Sequence, residues 1–498
     1  MGQEISFSTF DQGDFDRFYK KLKQETSLLK KLIEQNACST IEPVAGFEIE
    51  AWIIDQDMHP APINDYFLAE LKNPLVFEEL AKFNIELNST PTPLTDNVFS
   101  RIHKQLESTW NSTYQHAEKI KKHLLMIGIL PTLNQSDLTL ANMSDLNRYR
   151  ALNEQILQAR GKPINLDIVG NEHLKLAHHD VMLESATTSL QIHTQVSLDI
   201  AHHFYNASII SSAAMAALCA NSPFLFTKDL WDESRIPLFE QAIETGGYDG
   251  AMQGPLKRVS FGTEYARKSI IECFIENLDH FPVLLPANQN STVEAFEHLK
   301  LHNGTIWRWN RPLVGFDSDG TPHIRIEHRV PAAGPTTIDS IANAAFYYGL
   351  TKNICDEIMK KGLSLPFSQA KDNFYQAARH GMDSHVIWLD GNKHRLHSLI
   401  KKELFHRAKL GLTSLGVANS DIENFLDIIL QRLDNMQNGC HWQRQFILSQ
   451  RQYIMGQRKF KKNLPSLITT QQDDFTEMTK TYLKNQQSGS PVSEWSTY

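Results

Sequence analysis

Five short stretches of this chain alternate polar and apolar residues in a way that limits how they can be packed. A β-strand sends successive side chains to opposite faces. In Gly46-Phe47-Glu48-Ile49-Glu50-Ala51-Trp52, the residues Phe47, Ile49 and Ala51 share one face, and Glu48 and Glu50 share the other. In Phe83-Asn84-Ile85-Glu86-Leu87-Asn88, Glu86 stands beside Asn84 and Asn88. Residues 189–196 align Ser189, Gln191, His193 and Gln195, and residues 304–311 align Thr305, Trp307, Trp309 and Arg311. Residues 323–329 align Arg325, Glu327 and Arg329. Taken singly, each stretch reads best as an antiparallel strand with its polar side in water. Taken together they do not, because these faces hold Glu, Gln, His, Arg and Trp and no Lys at all.

If those faces line one concave sheet, the carboxylates of Glu48, Glu50, Glu86 and Glu327 meet around His193. Two strand residues apart, Glu48 and Glu50 lie about 7 Å from each other. Like charges at that range repel by roughly 2 kcal/mol at an effective dielectric of about 20. Divalent cations, nearby arginines or protonation relieve such a cost. Oxygen donors with a single histidine suit Mg2+ or Mn2+ better than zinc. Arg311, Arg325 and Arg329 supply planar forks for phosphate or carboxylate oxygens. Carboxylates for hard cations, facing arginines across a sheet-lined funnel, point to phosphoryl transfer from a nucleotide, where the protein mainly positions groups and neutralises charge.

The remaining sequence sets limits on class. Of 498 residues, 41% are hydrophobic, which supports a substantial core. The 57 acidic and 49 basic residues leave a net charge of −8 with no long basic run, so a general grip on nucleic acid is disfavoured. Five scattered cysteines without a CxxC pair exclude a disulfide scaffold and a cysteine zinc site, and fit a reducing, cytoplasmic location. No secretory signal is read at the start. The most apolar segment, residues 207–220, is too short to span a bilayer and reads as a buried helix, so no membrane partner is expected.

Periodicity predicts helices over residues 15–35, 98–127 and 144–158, the last capped by Ser144, with strands over 44–54 and 83–87. A strand over 188–198 and a helix over 200–221 follow. Strands over 304–311 and 322–330, joined by the acidic turn FDSDGT, read as a hairpin. Residues 337–485 read as almost wholly helical, and the polar tail as flexible. Neither G-x-G-x-x-G after a strand nor G-x-x-x-x-G-K-[ST] occurs, so a Rossmann domain and a P-loop are disfavoured. Strands early and helices late argue for an α+β fold. The expected architecture is a curved, mainly antiparallel sheet forming an active-site funnel, with helices packed outside and a helical C-terminal part.

The same residues carry a family resemblance. Gly46-Phe47-Glu48-Ile49-Glu50 resembles the G-x-E-x-E opening strand of the glutamate–cysteine ligase family, in its carboxylate–amine ligase branch. Ile85-Glu86-Leu87-Asn88 is similar to its second acidic strand, and Leu190-Gln191-Ile192-His193 to its Gln-x-His strand. Asn221-Ser222-Pro223-Phe224 with Arg235 resembles its Asn-Ser-Pro turn and downstream arginine. Residues 305–312 and 325–329 resemble its tryptophan–arginine hairpin, and NFYQAARHG (residues 373–381) a later helical element. These matches run in the family's order over about residues 40 to 380.

The resemblance implies a fold akin to glutamine synthetase and the guanidino kinases, with ATP and Mg2+ in a funnel. It implies that ATP phosphorylates the γ-carboxylate of glutamate and that an amine then attacks the acyl phosphate. On that basis Glu48, Glu50, Glu86, His193 and Glu327 are expected as metal ligands, and Arg311, Arg325 and Arg329 as phosphate partners. Arg311, Arg325 and Glu327 are the expected catalytic residues. Gln191 and Arg235 are candidates for the amino-acid substrate, Arg235 for a carboxylate. The implied partners are small amino-acid and amine substrates, with a homo-oligomer left open. The implied division is an N-terminal helix over 1–40, a catalytic domain over 41–385, a helical extension over 386–486 and a tail over 487–498. Departures at Trp309-Asn310, His328 and residues 330–335 leave the acceptor amine open. A different acid or amine, such as a peptide or polyamine, and a non-catalytic nucleotide-binding relative remain alternatives.

Other candidates have plainer readings. Trp307 and Trp309 wall the core in the ordinary case and stack on adenine in the other. Arg148 and Arg150 fall on a helix, where solvated arginines are the ordinary outcome and contact with an anionic substrate the alternative. Asp145 reads as a first-turn helix charge. His178-His179-Asp180 and His202-His203 lack flanking ligands at zinc spacing and read as surface or helix-start residues.

Overall fold

The computed structural model describes residues 4–41, 43–245, 257–287, 291–362, 364–460 and 471–496. Residues 1–3, residues 461–470 of the expected C-terminal helical stretch and the last two residues of the tail lie outside this set. The fold is α+β and its centre is one eight-stranded sheet. In chain order its strands are β1 (Val44–Ile54), β2 (Val76–Glu78), β3 (Asn84–Asn88), β4 (Thr92–Pro93), β5 (His123–Leu125), β6 (Leu190–Val196), β7 (Asn310–Phe316) and β8 (Pro322–His328). They are ordered β7-β8-β6-β1-β3-β2, with β4 and β5 also paired to β1. Every pairing is antiparallel, and the sheet curls into a half-barrel.

Register brings the sequence pattern together. Arg311 lies opposite Glu327, Glu327 opposite His193, and His193 opposite Gly46. Glu48 pairs with Gln191, and Glu50 with Glu86. Directly opposed residues in an antiparallel pair have Cβ atoms roughly 5 Å apart, so their side chains must interact. The other face packs on the helices Leu198–Leu218 and Thr337–Lys361. From the latter, the Tyr348 hydroxyl donates to the carbonyls of His193 (2.9 Å) and Gly46 (3.2 Å). Tyr347 stacks on His328 at 4.2 Å. The sheet is therefore buried on both sides, and its polar face is not a solvated one.

Several expected boundaries shift. The helix expected over 98–127 ends at Lys119, and residues 123–125 pair with Trp52–Ile54 as β5. Lys121 takes the left-handed conformation (φ 56°) and turns the chain back onto the sheet. The strand expected over 304–311 does not exist as one piece. Gly304 ends the helix Glu297–Gly304, Trp307–Arg308 pairs with Val259–Ser260, and the hairpin strand starts at Asn310 and runs through Pro312. Proline is tolerated there because β7 is an edge strand, where a missing N–H costs no ladder bond. The hairpin itself and its turn, with Gly320 at φ 85°, are as expected. Ser144 does not cap a helix. Its hydroxyl donates to the Glu79 carbonyl, and the helix runs from Asn147 to Arg160. The hairpin Ile164–Val169/His173–His178 has no counterpart among the expected elements.

One hydrophobic core runs from Ile5 to Trp495. The tail, expected to be flexible, is docked instead. Trp495 packs edge-on against Trp442 and Tyr482, and the Val492 N–H donates to Asp339 at 3.0 Å. Its two large apolar side chains outweigh the polar composition that suggested mobility. No helix among the described residues is long and apolar enough to cross a membrane.

Candidate active site

The polar face of the sheet lines a cavity of about 430 Å³. Glu48, Glu50 and Glu86 reach it from β1 and β3, and Gln191 and His193 from β6. Arg311, Arg325 and Glu327 come from the β7–β8 hairpin, and Arg329 and Arg235 complete the set predicted from sequence. All ten are in its wall, and Glu86 and Glu327 are each only 1% exposed.

Within the cavity the acids form two groups. In the first, single donor atoms of Glu48, His193 and Glu327 lie within 4.8 Å of one another. His193 Nε2 is 3.6 Å from a Glu48 oxygen and 3.8 Å from a Glu327 oxygen, and has no hydrogen-bond partner although it is buried. Burial, reinforced by Arg325, pushes the imidazole down to about 4 despite the pull of Glu48, so at neutral pH Nε2 can offer a lone pair. Arg311 grips Glu327 with two parallel bonds of 2.8 and 2.9 Å. Burial would raise the Glu327 carboxyl, but Arg311 and Arg329 outweigh it and hold it well below the usual range.

The second group is Glu50, Glu79 and Glu86, again within 4.8 Å. Glu50 accepts from the Ser189 N–H (2.7 Å), the Ser189 hydroxyl (3.2 Å) and the Gln191 amide (3.0 Å). Gln191 in turn accepts from Arg329, so it orients an acid and a base at once. Burial, with Glu86 adding repulsion, still lifts Glu50 to about 7. Burial and Glu50 lift Glu79 to about 7, and burial and Glu48 hold Glu86 well above the usual carboxylate range. Three clustered carboxyls, that of Glu86 buried and those of Glu50 and Glu79 half-buried, offer a set of oxygen donors that suits a hard cation. An orphaned imidazole nitrogen and two carboxylate-rich groups fit divalent metal at both places.

The arginines are not equivalent. Arg325 and Arg329 line the cavity, and the Nε of each, like that of Arg235, is buried without a hydrogen-bond partner, while Arg329 also lies 3.4 Å from Glu327. Arg311 is committed to Glu327. Arg235, 2% exposed, stacks on Trp309 at 5.3 Å, lies 3.4 Å from Glu233 and donates to the carbonyls of Arg329 and Val330. Trp307 borders the cavity, whereas Trp309 is buried in the core with its indole N–H on Glu240. Asn221 of the Asn-Ser-Pro turn stands outside the cavity and binds the Ala333 carbonyl, Tyr482 and Gln443.

The sequence model of glutamate–cysteine ligase family 2 matches residues 44–453. The chain belongs to this family. Its fold is similar to that of the glutamate–cysteine ligase (gshA) of Francisella tularensis in complex with AMP, at 11% identity and a TM-score of 0.50, over 92% of this chain and 96% of that one. A bifunctional glutathione synthetase from Pasteurella multocida is similar over 93% of this chain and 54% of its own, at 12% identity and a TM-score of 0.42. The ligase PafA, solved with the ubiquitin-like protein Pup, is similar over 91% and 74%, at 9% identity and a TM-score of 0.38. A sequence comparison with curated proteins finds no match.

The family's cavity in this chain holds residues that sequence reasoning missed. Glu79 follows a three-residue strand, too short to show alternation, and is set in place by Ser144 from a distant segment. Glu184 lies on the turn Val181–Ala186, and burial raises it to about 7. Arg148, expected to be solvated, borders the cavity with its guanidinium 4.6 Å over the Tyr149 ring. Arg150 is half exposed and pairs with Asp145, which precedes the helix. His178 is buried against Asp180 at 2.7 Å, and the His202 and His203 rings lie 3.8 Å apart at a tilt of 38°, all outside the cavity.

Proposed function

We propose that this protein is an ATP-dependent ligase that joins a carboxylate to an amine, with glutamate as the acid. Family membership supports a ligase. The observation that carries the reading is the meeting of two cation-ready groups, Glu48–His193–Glu327 and Glu50–Glu79–Glu86, with Arg325 and Arg329 in the wall of one cavity. Bound Mg2+ or Mn2+ would neutralise the phosphates and steady the leaving group. Arg325 and Arg329 would meet phosphate oxygens as charge shifts onto them. Arg311 holds Glu327 in one rotamer, and Gln191 holds Glu50.

In the reaction a carboxylate oxygen of the acid attacks the γ-phosphorus, the bond to the bridging oxygen breaks, and ADP leaves. The amine nitrogen then attacks the acyl carbon, phosphate departs with the electron pair of the C–O bond, and the amine gives up a proton. Burial of the cavity favours amide formation over hydrolysis of the acyl phosphate.

The test is ADP release with glutamate and a panel of amines, with the condensed product read by mass spectrometry as loss of water. Glu48→Gln and Glu327→Gln are expected to lower turnover at least a hundredfold with unchanged circular dichroism. Wild-type turnover in either variant removes these residues from the chemistry, and absence of ADP release with every acid and amine removes the ligase reading.

A further inference from the structure

Two helices that wall the cavity begin without a cap of their own. The helix Asn147–Arg160 brings Arg148, Tyr149 and Leu152 to the cavity, and the helix Glu297–Gly304 brings Glu297, Lys300 and Leu301. The first four N–H groups of a helix lack intrahelical partners, and a side-chain oxygen at the N-cap position ordinarily accepts from one of them. Here the N-cap residues are Leu146 and Phe296, which have no side-chain oxygen. Phe296 is also held in the left-handed conformation (φ 53°), so a strained turn leads into the second helix.

Both missing caps come from the N-terminal segment. Glu4 accepts from the Asn147 N–H at 2.8 Å, and the Asn147 amide donates to the Ile5 carbonyl at 3.1 Å. Glu25, fully buried on the helix Gln12–Glu34, accepts from the Leu299 N–H at 2.7 Å and pairs with His298 at 2.7 Å. Phe18, fully buried on the same helix, meets the His298 ring edge-on at 5.0 Å. Each carboxylate also sits at the positive end of a helix dipole. Residues 4–34 precede the matched family span, which starts at residue 44.

We propose that the N-terminal segment caps both wall helices in trans, and that Glu4 and Glu25 are positioning residues which set the gap between Arg148–Tyr149 and Glu297–Lys300 across the cavity. The consequence for catalysis rests on the ligase reading; the capping itself does not. A lost cap loosens the first turn and lets the cavity wall it carries drift, which weakens substrate binding before it slows chemistry.

The test uses the full chain with Glu4→Ala, Glu25→Ala and the double variant Glu4→Ala/Leu146→Asp, which restores a cap from the helix's own N-cap position. Amide exchange at residues 147–149 is expected to speed up about fivefold in Glu4→Ala and, in the double variant, to return to wild type at residues 148 and 149, the N–H groups an N-cap Asp reaches. Exchange at Leu299 is expected to speed up comparably in Glu25→Ala. Unchanged exchange, or no rescue by Leu146→Asp, overturns the capping. In the ligase assay, Glu4→Ala is expected to raise the KM for at least one of Mg-ATP, acid and amine about fivefold with kcat within twofold. Unchanged KM values alongside faster exchange overturn the positioning role. A wild type that releases no ADP overturns the ligase reading alone, because the exchange arm still decides the capping.

Discussion

Glu79 is the clearest case of a single side chain whose meaning depends on its neighbours. Alone it is a carboxylate at the end of a short strand. Beside Glu50 and Glu86 it completes a set of three oxygen donors within 4.8 Å, in which burial and mutual repulsion hold Glu50 and Glu79 near 7. Removing one donor should therefore weaken metal more than it harms the fold. Glu79→Gln is expected to raise the Mg2+ concentration for half-maximal ADP release by about ten- to a hundredfold, in the range seen when a metal site loses one supporting group. An unchanged Mg2+ dependence in a titration would place Glu79 outside the cation site.

Among the elements, the helices behind the sheet set how rigidly the cavity is backed. The helices Thr337–Lys361 and Phe405–Ser414 cross with backbone against backbone. A Cβ on Gly411 would lie 1.9 Å from the Gly349 carbonyl oxygen, and one on Gly349 2.2 Å from the Ala408 carbonyl oxygen. Alanine at a helix interior gains at most about 1 kcal/mol in propensity, whereas overpacking costs about 1–3 kcal/mol. Neither carbonyl can swing aside as a flexible side chain can, so the clash wins. Gly411→Ala is expected to lower stability by about 2 kcal/mol net, read as an earlier urea midpoint; a midpoint at or above wild type would refute the close crossing. This contact, like β5 and the broken 304–311 strand, left no periodic signal in the sequence. It depends on which backbones meet, and each glycine taken alone reads only as a weak point in a helix.

For the whole molecule, the opposed carboxyls make stability depend on pH and metal together. Glu50 and Glu79 have folded values near 7, raised above the ordinary 4.5, and burial raises Glu86 in the same direction. Below about 4.5 these groups are protonated in both folded and unfolded chains and cost nothing. As pH rises through the window from 4.5 to about 7 the unfolded chain loses protons first, so the folded state is penalised, and the penalty is complete above 7. Glu327, held low, works the other way and loses its contribution only in strong acid. Metal-free protein is therefore expected to lose melting temperature from pH 5 to pH 8, and Mg2+ to raise it far more at pH 8 than at pH 5.5. Equal Mg2+ shifts at the two pH values in a thermal scan would separate the raised carboxyls from the cation site.

Alternation along β1, β3, β6 and β8 was legible because a strand has a strict period of two. That period alone put Glu48, Glu50, Glu86, His193 and Glu327 on polar faces, and the acidic–basic balance of those faces announced hard cations and phosphate. It could not say that the faces were buried, nor that Glu79, Glu184 and Arg148 would join them, because those residues sit just past a short strand, on a turn and at a helix start. Nor could it reveal that Trp309 leaves the cavity, or that Glu4 and Glu25 finish helices far along the chain. Local periodicity is a property of the backbone and is written into neighbouring residues; a cavity is a property of distance between segments, and only the curled half-barrel brings them within reach.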